Sequence, residues 1–298
     1  SVGGTGKTPQ IEYLIRLLSE HYKIATLSRG YKRKSKGFVL ATANATAATL
    51  GDEPYQFHQK FPSIQVAVDA DRKNGIEQLL AQTPPPHVIL LDDAFQHRKV
   101  KAGLYILLTA YDDLFVDDFV LPTGNLRESR SGAQRADVIV VTKCPATISE
   151  NEQTQIKQKL RLMSKNNQVV YFTFVAYDSV VGSKKGTISV TEIRQSACVL
   201  LAGIAKPASF FNYLENAESI SLTYPDHHHF TESDIQEIKQ KAGDKLIVTT
   251  EKDYVRLKDS VLQDQLYYLP IQTSFIAESE HFDATILRFV KENLHTFI

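Results

Sequence analysis

The chain opens on Ser1-Val2-Gly3-Gly4-Thr5-Gly6-Lys7-Thr8-Pro9, whose Gly6-Lys7-Thr8 fits the end of the G-x-x-x-x-G-K-[ST] phosphate-binding pattern. Ser1 stands where the first glycine of that pattern would be. Glycines are needed because the backbone must pass close to phosphate oxygens and turn its N–H groups toward them. Gly3, Gly4, Thr5, Gly6, Lys7 and Thr8 are therefore the expected nucleotide cradle. In it Lys7 reaches the β- and γ-phosphates and the Thr8 hydroxyl ligands Mg²⁺. Residues 10–20 are apolar at helical spacing, so the loop leads into a helix N-terminus, where an anion is favoured. An unliganded glycine-rich turn is the bland alternative, and the helix behind the loop weighs against it.

With 298 residues there is room for two domains, or for one large α/β domain with additions. Formal net charge is zero, so no global field argues for nucleic acid. Cys144 and Cys198 offer neither a disulfide framework nor a metal-ligand cluster. No stretch approaches the roughly 20 apolar residues that span a bilayer. A P-loop ordinarily follows a buried strand, and none stands before Ser1. The expectation is that the natural protein starts earlier, with any N-terminal membrane anchor lying in that missing part.

Short apolar runs alternate with helical patterns. Strands are expected at 23–28, 65–68, 88–91, 104–108, 138–141 and 168–175, with helices at 71–82 and 149–165. This is the signature of an α/β fold, a P-loop-type doubly wound and mostly parallel sheet. Residues 1–175 form that core in this reading. The polar, Gly- and Ser-rich stretch 176–196 reads as a connector, and 197–298 as a second, smaller α/β unit.

His87-Val88-Ile89-Leu90-Leu91-Asp92-Asp93 is an apolar strand delivering carboxylates at its C-terminal end, where α/β sheets place ligands. Asp92 or Asp93 would hold the Mg²⁺ set by Thr8. Gly51-Asp52-Glu53-Pro54 taken alone reads as an ordinary helix start. Leu126-Arg127-Glu128 carries a cation suited to phosphoryl charge, with a surface ion pair as the equal alternative. Tyr224-Pro225-Asp226-His227-His228-His229-Phe230 lacks the further ligands zinc would need, so a histidine orienting a base is the better reading. After the strand at 138–141 comes Thr142-Lys143-Cys144-Pro145, with Pro145 where a guanine-reading Asp would stand. Neither Asp92 nor Asp93 is followed by Gly three residues on, so GTPase switching is disfavoured and ATP is expected.

Taken in order, these segments resemble the tetraacyldisaccharide 4′-kinase family of lipid A biosynthesis. Ser28-Arg29-Gly30-Tyr31, Asp92-Asp93-Ala94-Phe95-Gln96-His97, Leu121-Pro122-Thr123-Gly124-Asn125-Leu126-Arg127-Glu128, Gly203-Ile204-Ala205-Lys206-Pro207 and Thr250-Glu251-Lys252-Asp253 add to the motifs above. Ala94-Phe95, Thr123 and Ala205-Lys206 depart from the usual pattern without removing a catalytic side chain.

The resemblance implies transfer of the ATP γ-phosphate to the 4′-hydroxyl of an acylated glucosamine disaccharide 1-phosphate. The reaction would run at the cytoplasmic face of the bacterial inner membrane. It also implies a β-ribbon linker at 176–196 and a membrane-associating N-terminal segment. It makes Asp52 the base, paired with His227, although the adjacent His228 competes for that role. Lys7 and Arg127 would stabilise phosphoryl charge, and Thr8, Asp92, Asp93 and Glu128 would organise the metal. The rival readings are a P-loop ATPase or kinase acting on a soluble small molecule, and a nucleotide-binding regulatory module.

Overall fold

A computed structural model describes residues 4–161, 168–226 and 228–294. The strand–helix alternation resolves into three sheets. In the first, β1 (Ile24–Ser28) lies parallel between β3 (Gln65–Val68) and β4 (Val88–Leu91), with β2 (Val39–Leu40) antiparallel beyond β3. In the second, β5 (Ile106–Ala110), β6 (Val138–Thr142) and β7 (Val169–Tyr177) run parallel, and β14 (Ile271–Phe275) adds antiparallel to β7. Every residue of β1 and of β6 is buried, as expected of near-continuous apolar strands covered on both faces.

The third sheet has a parallel core of β11 (Ile220–Thr223), β10 (Cys198–Ala202), β12 (Leu246–Thr250) and β13 (Leu266–Leu269). An antiparallel hairpin of β8 (Val180–Ser183) and β9 (Gly186–Ser189) extends it beyond β13. The helices are α1 (Lys7–Ser19), α2 (Ala47–Leu50), α3 (Asp52–Lys60), α4 (Arg72–Leu80), α5 (Glu150–Arg161), α6 (Val190–Arg194), α7 (Ala208–Leu214), α8 (Glu232–Ala242), α9 (Glu251–Leu257) and α10 (Ser279–Leu294). None of the described helices is long and apolar enough to cross a membrane.

Two parts of the layout go beyond what spacing announces. The short strands expected within 176–196 form the β8–β9 hairpin, and that hairpin is paired into the third sheet through Gly182 and Tyr268. The end of 197–298 leaves the smaller unit and returns to the first. There β14 pairs with β7, and α10 inserts Phe282, Ile286 and Val290 into the cluster beneath α1. The Tyr13 hydroxyl on α1 donates to Asp283 of α10 at 2.8 Å. Helical spacing announces a buried face but not the sheet that face will meet.

The two units also meet through side chains of α3 and α9. Lys60 Nζ lies 2.7 Å from Glu12 on α1 and 2.5 Å from Glu251 on α9. Glu12 is 1% exposed and Glu251 8%, so this is a buried ion cluster joining three helices. Beside it, Lys258 Nζ donates to the Tyr55 hydroxyl at 2.9 Å and to Gln59 at 3.1 Å.

Candidate active site

The P-loop is built by backbone conformations that only glycine adopts readily. Gly4 has φ +65° and Gly6 φ +81°, and Gly6 caps α1 with no side-chain hydrogen bond. The first turn of α1 carries no acidic residue, so its unsatisfied N–H groups and the positive end of the helix dipole are left for an anion. Thr142 at the end of β6 braces the loop from behind. Its hydroxyl donates to the Thr5 carbonyl at 2.8 Å, and a Cβ on Gly6 would meet the Thr142 side chain at 3.4 Å. Gly3 lies outside the described residues.

Two carboxylates face the loop in unlike surroundings. Asp92 is buried and accepts a hydrogen bond from the Ser28 hydroxyl at 3.2 Å. Burial, then the negative charges of Glu53 and Asp93, push its carboxyl up to about 6. Asp93, at φ +47°, lies 3.7 Å from Lys7 Nζ and 2.8 Å from Arg127 Nη1. Burial pulls Asp93 upward, but the Lys7 charge and the Arg127 hydrogen bond outweigh it and leave the group below the usual carboxylate range. Asp93 thus joins two cations in front of the helix N-terminus. Arg72 of α4 holds the strand end beneath them, donating to the backbone carbonyls of Asp69 at 2.6 Å and Asp92 at 3.2 Å.

Asp52 is the first residue of α3, directly after Gly51 at φ +92°. Arg256 of α9 grips its Oδ2 with Nη2 at 2.5 Å and Nε at 3.1 Å. Arg256 is fixed in turn by Asp253, Nη1 to Oδ1 at 3.2 Å. Asp253 is fully buried, and its other oxygen accepts from the Gly203 N–H at 2.8 Å and the Thr250 hydroxyl at 2.7 Å. The adjacent Glu53 pairs with Lys252 at 3.3 Å. Through Gly203 and Thr250-Glu251-Lys252-Asp253 the second unit therefore reaches the start of α3.

His227 falls outside the described residues. His228 is engaged elsewhere, stacked on Tyr224 at 4.9 Å and bonded to Asp234 of the α8 cap at 3.0 Å. Glu128 is gripped by Arg135 at 2.7 Å and Arg98 at 3.2 Å, whereas its neighbour Arg127 joins Asp93. Both Glu128 oxygens are thus engaged by arginines in this structure.

Several site residues carry little signal in the sequence. Thr142 shows there only as part of a failed guanine motif and Ser28 only as part of a resemblance. Arg256 has no signal beyond following the Thr-Glu-Lys-Asp run. Lys143 also belongs here. Its Nζ lies 3.9 Å from where a Gly4 Cβ would be, and burial, then Lys206 and Lys252, lowers its basicity.

Mg²⁺ takes hard oxygen ligands, commonly one or two carboxylates completed by substrate phosphates and waters. Thr8, Asp92 and Asp93 are of that kind. The raised Asp92 carboxyl marks negative charge that a cation would relieve.

Comparison with known proteins gives consistent matches. Residues 1–291 match the family model described as LpxK, tetraacyldisaccharide-1-P 4′-kinase. A tetraacyldisaccharide 4′-kinase of Flavobacterium johnsoniae is 63% identical over 294 residues, 99% of this chain and 86% of its own. That of Bacteroides thetaiotaomicron is 46% identical over 317 aligned positions, 98% of this chain and 83% of its own. The crystal structure of an "apo" form LpxK from Aquifex aeolicus in complex with ATP superposes with a TM-score of 0.72 at 26% identity. It covers 97% of this chain and 86% of that one.

Proposed function

The chain belongs to the tetraacyldisaccharide-1-phosphate 4′-kinase family, and from that premise we propose how its residues divide the work of phosphoryl transfer. It is a kinase of lipid A biosynthesis that moves phosphate from ATP to a sugar hydroxyl. The acceptor is the 4′-hydroxyl of an acylated glucosamine disaccharide 1-phosphate, met at the cytoplasmic face of the bacterial inner membrane.

The observation that carries the site assignment is the sharing of Asp93 by Lys7 and Arg127 before the α1 N-terminus. Phosphoryl transfer asks little covalent chemistry of the protein and much charge stabilisation. The N–H groups of Gly4 to Thr8 cradle the ATP phosphates. Lys7 and Arg127 exchange their carboxylate partner for phosphate oxygens as charge spreads over the transferring group. Thr8, Asp92 and Asp93 would hold Mg²⁺, which supplies neutralisation of the β- and γ-oxygens when bound.

A sugar hydroxyl is a weak nucleophile, so Asp52 accepts its proton, with His227 completing the dyad from the second unit. Arg256 fixes the Asp52 carboxylate through Oδ2 and so sets the direction from which the proton is taken. Closure of the two units around the substrates would exclude water and favour the sugar over hydrolysis. The loop 29–36, which carries Arg29, Lys32, Arg33, Lys34 and Lys36, is the proposed partner of the 1-phosphate.

The test is transfer of labelled γ-phosphate from ATP to the tetraacyldisaccharide 1-phosphate in mixed micelles. Lys7→Ala should cost about 10³-fold in kcat/KM or more. Asp52→Asn should lower kcat by roughly 10²- to 10⁴-fold with the KM for ATP little changed. Near-native turnover of Asp52→Asn overturns the base assignment, and equal activity on an acyl-free soluble acceptor overturns the lipid one.

A further inference from the structure

Six large hydrophobic side chains stand exposed among the described residues, and three of them are consecutive: Phe119 at 60%, Val120 at 43% and Leu121 at 52%. The turn presenting them is constructed. The Asp118 carboxylate accepts from the Phe119 N–H at 2.7 Å and the Asn125 N–H at 3.1 Å. Leu126 N–H donates to the Phe119 carbonyl at 2.9 Å, and Leu121 N–H to the Leu126 carbonyl at 3.0 Å. Gly124 fits only because it lacks a side chain, since a Cβ there would collide with Asp118 and the Phe119 backbone. The Arg130 guanidinium sits 4.9 Å from the Phe119 ring centroid and donates to the Asp118 carbonyl at 2.8 Å.

The base of this turn is rooted beside the reaction centre. Leu126 is buried in the core, and the next residue, Arg127, holds Asp93. An apolar tip is thus held out from the segment that touches the phosphate site.

We propose that Phe119-Val120-Leu121 is an interfacial anchor that inserts into the acyl layer of the bilayer carrying the acceptor, setting the catalytic cleft at the lipid surface. The inference rests on the lipid-kinase reading and adds to it a named contact. Exposed contiguous apolar side chains mark protein or membrane contacts. A stable protein interface covers about 800 Å² on each partner, more than a three-residue tip presents. A bilayer accepts such a tip without any shaped counterpart. The charges beside it do not favour an anionic surface: Arg130 lies on the ring and Lys159 pairs with Asp117 at 3.3 Å, but Asp112, Asp113 and Glu152 line one cavity with Asp117 and Asp118. Binding is therefore driven by apolar insertion and gains nothing from anionic lipid.

The experiment is flotation of the chain with phosphatidylcholine vesicles, with and without phosphatidylglycerol, in the absence of nucleotide and acceptor. Combining Phe119→Ser, Val120→Ser and Leu121→Ser should lower partitioning roughly tenfold or more. Leu80→Ser, at an exposed apolar site away from the tip, should leave it unchanged. In the Phe119→Trp protein, vesicles should shift the indole emission to the blue and bromine-labelled acyl chains should quench it. Partitioning of the triple-serine protein equal to wild type overturns the proposal. So does an indole emission from the Phe119→Trp protein that vesicles leave unchanged. Transfer in mixed micelles tests the kinase reading separately, because the vesicle measurement uses neither substrate.

Discussion

The donor and acceptor sides of the cleft are built in opposite ways. The donor side is largely local: Gly4 to Thr8 form the proposed cradle, and Thr142 and Asp92 lie at the ends of strands within the two sheets of the first unit. The acceptor side is shared. Asp52 starts a helix of the first unit, but the arginine that grips it and the aspartate that grips the arginine belong to α9 of the second. A nucleotide site can thus be preformed within one unit, while the proposed base is set only when both units are in register. ATP binding and acceptor chemistry should come apart under mutation.

The sharpest way to break that distinction is at Lys60, where α1, α3 and α9 converge. Lys60→Met would leave the buried carboxylates of Glu12 and Glu251 without their shared cation. Removing one partner of a buried ion pair costs about 3–5 kcal/mol, so urea unfolding should show a loss of that order. Glu12 keeps Arg16 at 3.1 Å and Gln56 at 2.9 Å, which places the expectation at the lower end. A loss below about 1 kcal/mol would mean that the junction contributes little to holding the units together.

Asp92 tests the donor side, with Glu53 at the start of α3 adding to its charge. Its carboxyl rises from 3.8 to about 6 on folding, so the folded state holds a proton that the unfolded chain has lost between those values. Stability from this group is present below pH 3.8 and is lost as pH rises to about 6. At about 1.36 kcal/mol per unit the loss is on the order of 3 kcal/mol. Unfolding free energies without metal, wild type minus Asp92→Asn, should fall across that window and level off above it. Mg²⁺ should reverse the trend, binding more tightly with rising pH and releasing a proton. A flat difference would remove the buried-charge account of Asp92.

Arg256→Ala addresses the acceptor side. It should lower kcat by roughly 30-fold, the equivalent of about 2 kcal/mol for a charge-assisted contact to Asp52. The KM for ATP should hold within about twofold, because no P-loop contact is removed. Arg256→Lys should recover part of the loss, keeping the charge without the two-donor grip. Equal losses in kcat and in ATP affinity would erase the difference between the two sides.

The same difference explains what is legible in the sequence. The P-loop, the Asp92-Asp93 strand end and the parallel α/β pattern are written in short contiguous segments, where spacing alone carries the chemistry. Asp52 is visible as a helix start, and only the ordered family resemblance gives it a catalytic meaning. Arg256 lies 204 positions from Asp52, and no local pattern announces a contact over that separation. For the same reason the return of β14 and α10 to the first unit is invisible. Their periodicity fixes a buried face, and the choice of sheet is made by Tyr13, Tyr171 and Phe275 packing around Phe282.

The smallest expected effect is at Thr142, a residue that a failed guanine motif makes look idle. Its hydroxyl donates to the Thr5 carbonyl at 2.8 Å, with the Thr109 carbonyl 3.3 Å away, placing the loop against the ends of β5 and β6. Thr142→Val keeps the shape and removes the donor, leaving a buried carbonyl short of one partner at a cost of about 1 kcal/mol. The loop would then sample geometries that point fewer N–H groups at phosphate. The effect should appear as a roughly fivefold rise in the KM for ATP, with kcat and acceptor KM nearly unchanged. Steady-state kinetics with ATP varied at saturating acceptor separates the outcomes. A loss confined to kcat would mean that Thr142 acts through the acceptor side, and the donor cradle would no longer count as locally built.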